Sequence, residues 1–449
     1  AEVDKKLYAW SRARGLGAAR HKEDPAAFER RMMEVKLDQV GLMLYTSGTS
    51  GNPKGVPLTH ENVSANGQDW LRCNAPLLEE GAVDLLWLPM SHIFGLGEMC
   101  LGNTLGWLTY LSDPATCLAR LHDAGAVLVA KLSLGALAMG DLWHGGRTRN
   151  PYNPEQGSSG SSAGPASAVA AGLVPFAIGT ETLGSIVSPC RQCGIAGLRP
   201  TFGTVSRYGA MPLSWTMDKV GPIARTAVDA ALVFDAMRGA DGKDPAAVDI
   251  AFPWRPGRGL QGLRLGLLQQ RNFPSRAEDK AFVQWLEQQG AAPKPVALPD
   301  APYEGMLTML HAEAAAAFDE ATRSGLLPQL PGQGDGDWPN QFRSARTIPA
   351  VEYVRASRLR AALCVQMQAA FADVDVVVAP THGGPALTAT NLSGHPTYVL
   401  PVGVAESDGG RPTMLALLGK LYGEAELLAV AEAWQATTRH HLARPALTR

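Results

Sequence analysis

Short apolar runs and amphipathic stretches alternate along most of the chain. The apolar runs predict buried strands, at 126–130, 174–178, 263–268, 374–379 and within 391–404. Apolar residues at helical spacing predict helices, at 118–124, 163–173, 226–238, 279–289, 302–326, 348–371 and 424–439. Strands that alternate with helices in this way favour an α/β fold.

Composition narrows the function classes. Of the 449 residues 46% are hydrophobic and the net charge is −2, so a sizeable core is possible and no nucleic-acid or anionic-membrane partner is expected. No apolar run reaches the roughly 18 residues of a membrane span, and no signal peptide opens the chain. We therefore expect a cytoplasmic protein.

The six cysteines are scattered, as is typical of a reducing compartment. Cys190 and Cys193 have the spacing of half a zinc site, but no second pair or suitably spaced histidines accompany them. We interpret both as structural cysteines and expect neither a metal nor a cofactor.

The segment 157–185 carries two glycine turns that each hold a serine. One turn contains Ser161 and the other ends at Ser185, with a predicted helix and strand between them. Glycine lets a backbone approach a substrate closely, and a serine in such a turn is a candidate nucleophile with nearby N–H groups for an oxyanion. The alternative is a Gly/Ser-rich loop without chemistry.

A second candidate lies earlier in the chain. The predicted strand Leu42–Tyr45 runs into a loop of Gly, Ser and Thr residues that ends with Lys54 and Gly55. Backbone N–H groups and hydroxyls in such a loop bind phosphate oxygens, although the spacing is not that of a P-loop. The 45–56 loop is therefore a candidate phosphate site.

The serine segment resembles that of the amidase signature family, serine amidases with a Ser–cis-Ser–Lys triad. Further similar motifs lie on both sides of it, at 125–131, 148–151, 194–201, 205–209, 218–222, 375–380 and 391–396. The resemblance covers residues 113–449. It implies a mixed twisted β-sheet flanked by helices on both faces, and a small-molecule amide as substrate. A homodimer is the one assembly that we consider.

Residues 40–112 resemble the N-terminal part of AMP-forming acyl-CoA synthetases, through the 45–56 loop and the Leu88–His92 motif. The later motifs of those enzymes are not found. We therefore predict two domains, 1–112 and 113–449. The N-terminal domain is expected to lend strands to the main sheet through Leu42–Tyr45 and Leu85–Leu88.

The amidase resemblance implies a role for each residue of the serine turns. Ser185 is the implied nucleophile, and Ser161, after a cis peptide bond from Gly160, is the bridging serine. Backbone N–H groups of Thr182, Leu183, Gly184 and Ser185 are implied to form the oxyanion hole.

The implied lysine of the triad is missing at its expected position near residues 89 and 90. Because a serine hydroxyl must lose its proton during attack, we expect weak or no hydrolysis. Lys131, His92 and Lys54 are the candidate replacements. Asp218 and Arg225 are expected to form a structural ion pair, and His395 to be a packed core residue.

Three functions remain open from the sequence. The first is an amidase that cleaves C–N bonds through a serine acyl-enzyme. The second is an AMP-forming ligase that uses the 45–56 loop, and the third is a non-catalytic binding protein with the amidase fold.

Overall fold

The computed structural model describes residues 10–46, 54–62, 83–86, 108–111, 116–143, 145–330, 332–405 and 409–446. The chain divides into two compact units, residues 1–113 and 114–449. Among the described helices, none combines the length and the apolar character needed to cross a membrane.

The first unit contains two helices and two small sheets. The helices are α1 (Trp10–Glu23) and α2 (Ala27–Met33), and the strands are β1 (Val40–Thr46), β2 (Lys54–Thr59), β3 (Val83–Leu86) and β4 (Leu108–Leu111). β1 pairs with β2 in an antiparallel ladder, and β3 pairs with β4 in a parallel one. The expectation that the Leu42 and Leu85 strands join the main sheet is wrong for these described strands, because each forms its backbone ladder within a two-stranded sheet.

The second unit is built on an eight-stranded sheet in the order β13-β12-β14-β16-β15-β10-β11-β9. Its strands are β9 (Phe176–Glu181), β10 (Gly197–Arg199), β11 (Lys219–Ala224), β12 (Leu265–Leu268), β13 (Lys294–Val296), β14 (Val376–Pro380), β15 (Thr397–Ala405) and β16 (Arg411–Gly419). β12, β13 and β14 are mutually parallel, and the other neighbours are antiparallel. The predicted mixed sheet is confirmed. Four short strands form two separate ladders, β5 (Leu142–Trp143) with β6 (Gly146–Arg147) and β7 (Arg149–Asn150) with β8 (Asn153–Gly157).

The helices of this unit lie between and after the strands. They are α3 (Thr116–Asp123), α4 (Ala163–Ala171), α5 (Val187–Cys193), α6 (Ala227–Met237), α7 (Ala277–Gln288), α8 (Tyr303–Met306), α9 (Thr308–Ala317), α10 (Asp319–Arg323), α11 (Trp338–Ala345), α12 (Ala350–Ala370), α13 (Ala386–Ser393) and α14 (Glu424–Thr437).

Both faces of the sheet are buried. Along β14, Val376 and Val378 belong to one apolar cluster, whereas Val377 and Ala379 belong to another. This alternation follows from the two-residue period of a strand. Helices α6, α7 and α14 complete the first cluster, and α9, α11 and α12 complete the second. A central strand covered on both faces explains why its sequence is a continuous apolar run.

The predicted strand at 126–130 is not formed. These residues are extended without a ladder, and Val127 and Val129 are 80% and 69% exposed. A strand needs a partner for its N–H and C=O groups, and within the described part of the chain no strand pairs with this segment.

Two further boundaries differ from the prediction. The helix expected at 302–326 is divided into α8, α9 and α10, with a break at Phe318, whose ring stacks on Phe342 at 5.0 Å between centroids. The strand expected from residue 391 starts only at Thr397, because Asn391 still belongs to α13. Gly394, at φ 78°, ends that helix in the left-handed conformation.

Candidate functional site

The two serine turns meet through their backbones. The N–H of Ser162 donates to the carbonyl of Ser185 at 3.1 Å. The Ser162 hydroxyl donates to the Thr180 carbonyl and accepts from the Thr180 N–H, both at 3.0 Å, so the first turn is fixed to the end of β9. Ser161 and Ser185 are 2% and 8% exposed. The structure therefore brings the two predicted serines together in a nearly buried place.

The segment 133–140 packs against the first turn and is hydrogen-bonded to it. The Ser161 carbonyl accepts from the N–H groups of Gly135 at 2.9 Å and Ala163 at 2.7 Å. The peptide bond between Gly160 and Ser161 is cis, as the resemblance implied. A Cβ atom on Gly160 would stand 1.6 Å from the Gly140 carbonyl oxygen, so only glycine fits there.

The second turn places Ser185 immediately before α5. Gly184 has φ +102°, which favours glycine. A Cβ atom there would also approach Ser188 Oγ to 3.0 Å and Leu387 Cδ2 to 3.2 Å. Among the described residues, no group accepts a hydrogen bond from the N–H groups of Thr182, Leu183, Gly184 or Ser185. Within the described part of the chain these four donors are therefore unpaired.

A buried ion pair lies directly behind the second turn. Arg199 Nη1 donates to Glu181 Oε1 at 2.8 Å, and both side chains are fully buried. Asn391 donates to the same oxygen at 2.8 Å, while Oε2 accepts the N–H groups of Ile186 and Val187 at 2.8 and 2.9 Å. Burial alone raises the pKa of Glu181, but the charge and hydrogen bond of Arg199 outweigh it and hold the pKa below its usual value. The ionised carboxylate thus holds the two residues that follow Ser185.

Thr182, at the start of the second turn, is bound by Asp218. Thr182 Oγ1 donates to Asp218 Oδ1 at 2.6 Å. Burial raises the pKa of Asp218. The expected ion pair of Asp218 with Arg225 is wrong, because Arg225 instead donates to backbone carbonyls, including that of Val169 at 2.8 Å. The carbonyl groups at the end of α4 thus accept the hydrogen bonds that a carboxylate was expected to accept.

Of the three candidate bases, only Lys131 has a described side chain. Lys131 is exposed. His92 and the side chain of Lys54 lie outside the described residues. Within the part of the chain that is described, the hydroxyls of Ser161 and Ser185 have no hydrogen-bond partner.

Lys219 is a buried amine that the sequence analysis did not single out. It faces Glu181 across the β9–β11 ladder, and its Nζ donates to the Met217 carbonyl. Burial, followed by the charge of Arg199, lowers the pKa of Lys219 well below its ordinary value. Its described hydrogen bond leads to the backbone and not to either serine.

The predicted structural residues behave as core residues. Cys190 and Cys193 are buried and free, and no cluster of metal-ligating side chains is found in the described ranges. His395 is 1% exposed and packs against Phe371 at 5.0 Å. Burial, together with the charge of Arg199, lowers the pKa of His395 to about 4.

Most of the candidate phosphate loop lies outside the described residues. β1 ends at Thr46 and β2 begins at Lys54, and residues 47–53 lie outside the described residues. The two strands that flank the loop are antiparallel neighbours.

Sequence reasoning missed Glu181, Arg199 and Asn391 as supports of the site. A signal existed, since Glu181 is an acidic residue at the end of an apolar strand, four positions before Ser185. Charged residues are rarely fully buried without a partner, so its place in that strand favoured a buried ion pair.

Comparison with known proteins gives two family matches. The model of the Amidase family matches residues 104–402, and that of the AMP-binding enzyme family matches residues 5–128. A curated relative, a glutamyl-tRNA(Gln) amidotransferase subunit from Roseiflexus castenholzii, is 34% identical over 419 residues, which are 81% of this chain and 85% of the relative.

Solved structures show the same similarity. The native peptide amidase from Stenotrophomonas maltophilia has 29% sequence identity and a TM-score of 0.63, covering 84% of this chain and 87% of that one. A protein from a vestigial complex, described as revealing the evolutionary origins of an s-triazine catabolic enzyme, has 27% identity and a TM-score of 0.66. That match covers 84% of this chain and 90% of the other.

Proposed function

Because the chain belongs to the amidase family and is an amidase-type hydrolase of amide C–N bonds, we propose that Ser185 is its nucleophile and Ser161 its bridging serine. The hydrogen bond from the Ser162 N–H to the Ser185 carbonyl, at 3.1 Å, carries this proposal. It joins Ser185 itself to Ser162, the residue that follows Ser161.

The reaction proposed is acyl transfer through a serine ester. Ser185 Oγ attacks the amide carbonyl carbon while its proton passes to Ser161 Oγ, Ser161 releases its own hydroxyl proton towards the amide nitrogen, and the carbonyl oxygen becomes an oxyanion. The N–H groups of residues 182–185, which have no acceptor within the described part of the chain, are proposed to stabilise that charge. The C–N bond then breaks as the leaving nitrogen takes up the proton, and water hydrolyses the ester.

We propose that turnover is slow. A hydroxyl is a weak nucleophile without a base, and general-base catalysis typically contributes about 10²–10⁴-fold in rate. Among the described side chains, neither an amine nor an imidazole is hydrogen-bonded to Ser161 or Ser185.

A small-molecule amide is the proposed substrate. The near-complete burial of Ser161 and Ser185 favours a slim group at the reacting carbonyl. A cytoplasmic location is also proposed, supported by the four described cysteines, which are all free. A homodimer remains a proposal that sedimentation of the purified chain tests.

Labelling with a fluorophosphonate tests the nucleophile, because the probe forms a covalent bond with an activated serine without requiring turnover of an amide. The full chain is expected to become labelled, and the Ser185→Ala variant is expected to lose the label. Ser188→Ala serves as the matched control, since Ser188 lies one turn further along and should leave labelling intact.

Two outcomes would contradict the proposal. The first is a label that persists in folded Ser185→Ala protein, which places the nucleophile elsewhere. The second is a folded wild-type chain that resists the probe, with its fold checked by circular dichroism.

A further inference from the structure

A buried polar connection begins at the second serine turn and leads into the helices of the second cluster. Asp218 is its first member. Oδ1 accepts the hydroxyl of Thr182 at 2.6 Å, and Oδ2 accepts the N–H groups of Leu213 and Ser214 at 2.8 and 3.0 Å. One carboxylate therefore binds the turn with one oxygen and the loop 213–217 with the other.

Glu313, from the middle of α9, holds the same loop from its other side. The Glu313 carboxylate is 6% exposed and accepts the Ser214 hydroxyl at 2.5 Å, the Thr216 N–H at 3.1 Å and the Thr216 hydroxyl at 2.9 Å. It also accepts the hydroxyl of Tyr353 in α12 at 2.9 Å. The loop is thereby tied to two helices.

Arg360 is a further link between the loop 213–217 and the helices. From α12 it donates to the Thr216 carbonyl and to the Leu392 carbonyl, both at 2.6 Å. Leu392 lies in α13, the helix whose Leu387 stands against Gly184. The loop 213–217 is thus linked through Arg360 to α13, the helix that also lies against the second serine turn.

This arrangement matters because an oxyanion hole depends on fixed geometry. Its N–H groups stabilise charge when they stand about 2.7–3.1 Å from the developing oxyanion, and loss of one donor typically costs about 10²–10³-fold in rate. The ion pair of Glu181 fixes the Ser185 end of the turn. Within the described residues, the side-chain contact that fixes the other end is the hydroxyl of Thr182 on Asp218.

We propose that Asp218 is a positioning residue for the oxyanion turn, and that Glu313 and Arg360 set its place through the loop 213–217. The inference rests on the proposed function of Ser185. Asp218 acts through Thr182 and does not touch the reacting atoms.

The test compares variants of Thr182 in the full chain. Thr182→Val keeps the shape of the side chain and removes the hydrogen bond to Asp218. Its saturating rate of fluorophosphonate labelling is expected to fall about 10- to 100-fold, which is less than the loss of a whole oxyanion donor because the N–H groups remain present. The apparent dissociation constant of the probe should change less than about 3-fold, and Thr182→Ser, which keeps the hydroxyl, should recover most of the rate.

Hydrogen exchange supplies a readout that does not need activity. The backbone amides of the peptide 182–185 are expected to exchange faster in Thr182→Val and in Glu313→Gln than in the wild type. Asp375→Asn is the matched control. It also removes a buried carboxylate, bound by Arg264 and Lys420, but it has no contact with the turn. It should leave both labelling and exchange at 182–185 unchanged.

The outcomes are distinguishable. If Thr182→Val labels like the wild type and its turn exchanges equally slowly, Asp218 has no positioning role, while Ser185 remains the nucleophile. If the folded wild type does not label at all, the proposed function fails. Unchanged exchange in Thr182→Val and Glu313→Gln would then overturn the positioning role as well, and faster exchange would support it.

Discussion

The two segments that support the two serine turns differ in burial and in backbone pairing. Residues 176–185 lead into Ser185 through β9, whose ladder with β11 and ion pair at Glu181 are buried. Residues 126–140 support Ser161 through the N–H of Gly135 and the carbonyl of Ser133, yet Val127 and Val129 are exposed. Both segments contain an apolar run of similar length. The difference teaches that a strand is decided by a hydrogen-bonding partner and not by apolar content alone.

The largest expected effect comes from breaking the ion pair behind Ser185. Glu181→Gln leaves the buried Arg199 charge without its counter-ion, which should cost about 3–5 kcal/mol in the free energy of unfolding. Urea unfolding measures this loss. Asp235→Asn is the control, because its pair with Arg238 is largely exposed and should contribute less than about 1 kcal/mol. An equal loss in both variants would show that the buried pair contributes no more to stability than the exposed pair does.

A cavity beside β11, the strand that pairs with β9, should lower the free energy of unfolding nearly as much. Ile223 of β11 is fully buried, and its Cδ1 stands 3.0 Å from the place of a Cβ on Gly179. Ile223→Ala is expected to lower the free energy of unfolding by about 2–5 kcal/mol. Leu232→Ala in α6 is the comparison, since Leu232 is 60% exposed and its loss should change stability by only about 0.5 kcal/mol. A loss below about 1 kcal/mol at Ile223 would mean that the site collapses around the smaller side chain.

Acidic pH should lower the free energy of unfolding through the protonation of His395. Its pKa in the folded protein is about 4, because of burial and then the charge of Arg199, whereas an unfolded histidine titrates near 6.5. The unfolded state therefore binds more protons between these values, so stability is full above pH 6.5 and falls as the pH falls towards 4. The loss attributable to His395 is about 3 kcal/mol. Unfolding of wild type and His395→Gln at pH 7, 5.5 and 4.5 measures it, and parallel pH profiles would rule it out.

The smallest effect is expected in the exposed segment. Val129→Ser replaces an apolar side chain that is 69% exposed and has no ladder around it. The free energy of unfolding should change by no more than about 0.5 kcal/mol. Thermal unfolding beside Ile223→Ala measures the contrast directly. A loss of several kcal/mol would show that residues 126–130 are packed as a strand in solution.

Much of the fold follows from local patterns. The strand at 374–379 and the helix at 348–371 were predicted within two residues of β14 and α12, since a continuous apolar run and a long helical period are strong signals. The helix at 302–326 was predicted as one element, whereas the structure divides it at Phe318, whose ring stacks on Phe342, 24 positions away. Local periodicity cannot contain such a contact.

The two serine turns were predictable, and most of the groups that support them were not. Ser161 and Ser185 lie in glycine turns that can be recognised in the sequence. Asn391 reaches Glu181 across 210 positions, and Glu313 reaches Ser214 across 99. Asp218 was paired with Arg225 in the prediction, although its hydroxyl partner is Thr182.

The sequence by itself determined the family, the positions of the two serine turns and the elements with strong local patterns, such as β14 and α12, because these depend on neighbours within a few residues. Only the tertiary structure decided which charges are paired, which apolar run becomes a strand and how the two turns meet. The physical reason is that burial and hydrogen bonding depend on groups brought close in space, and the chain supplies those groups from distant positions.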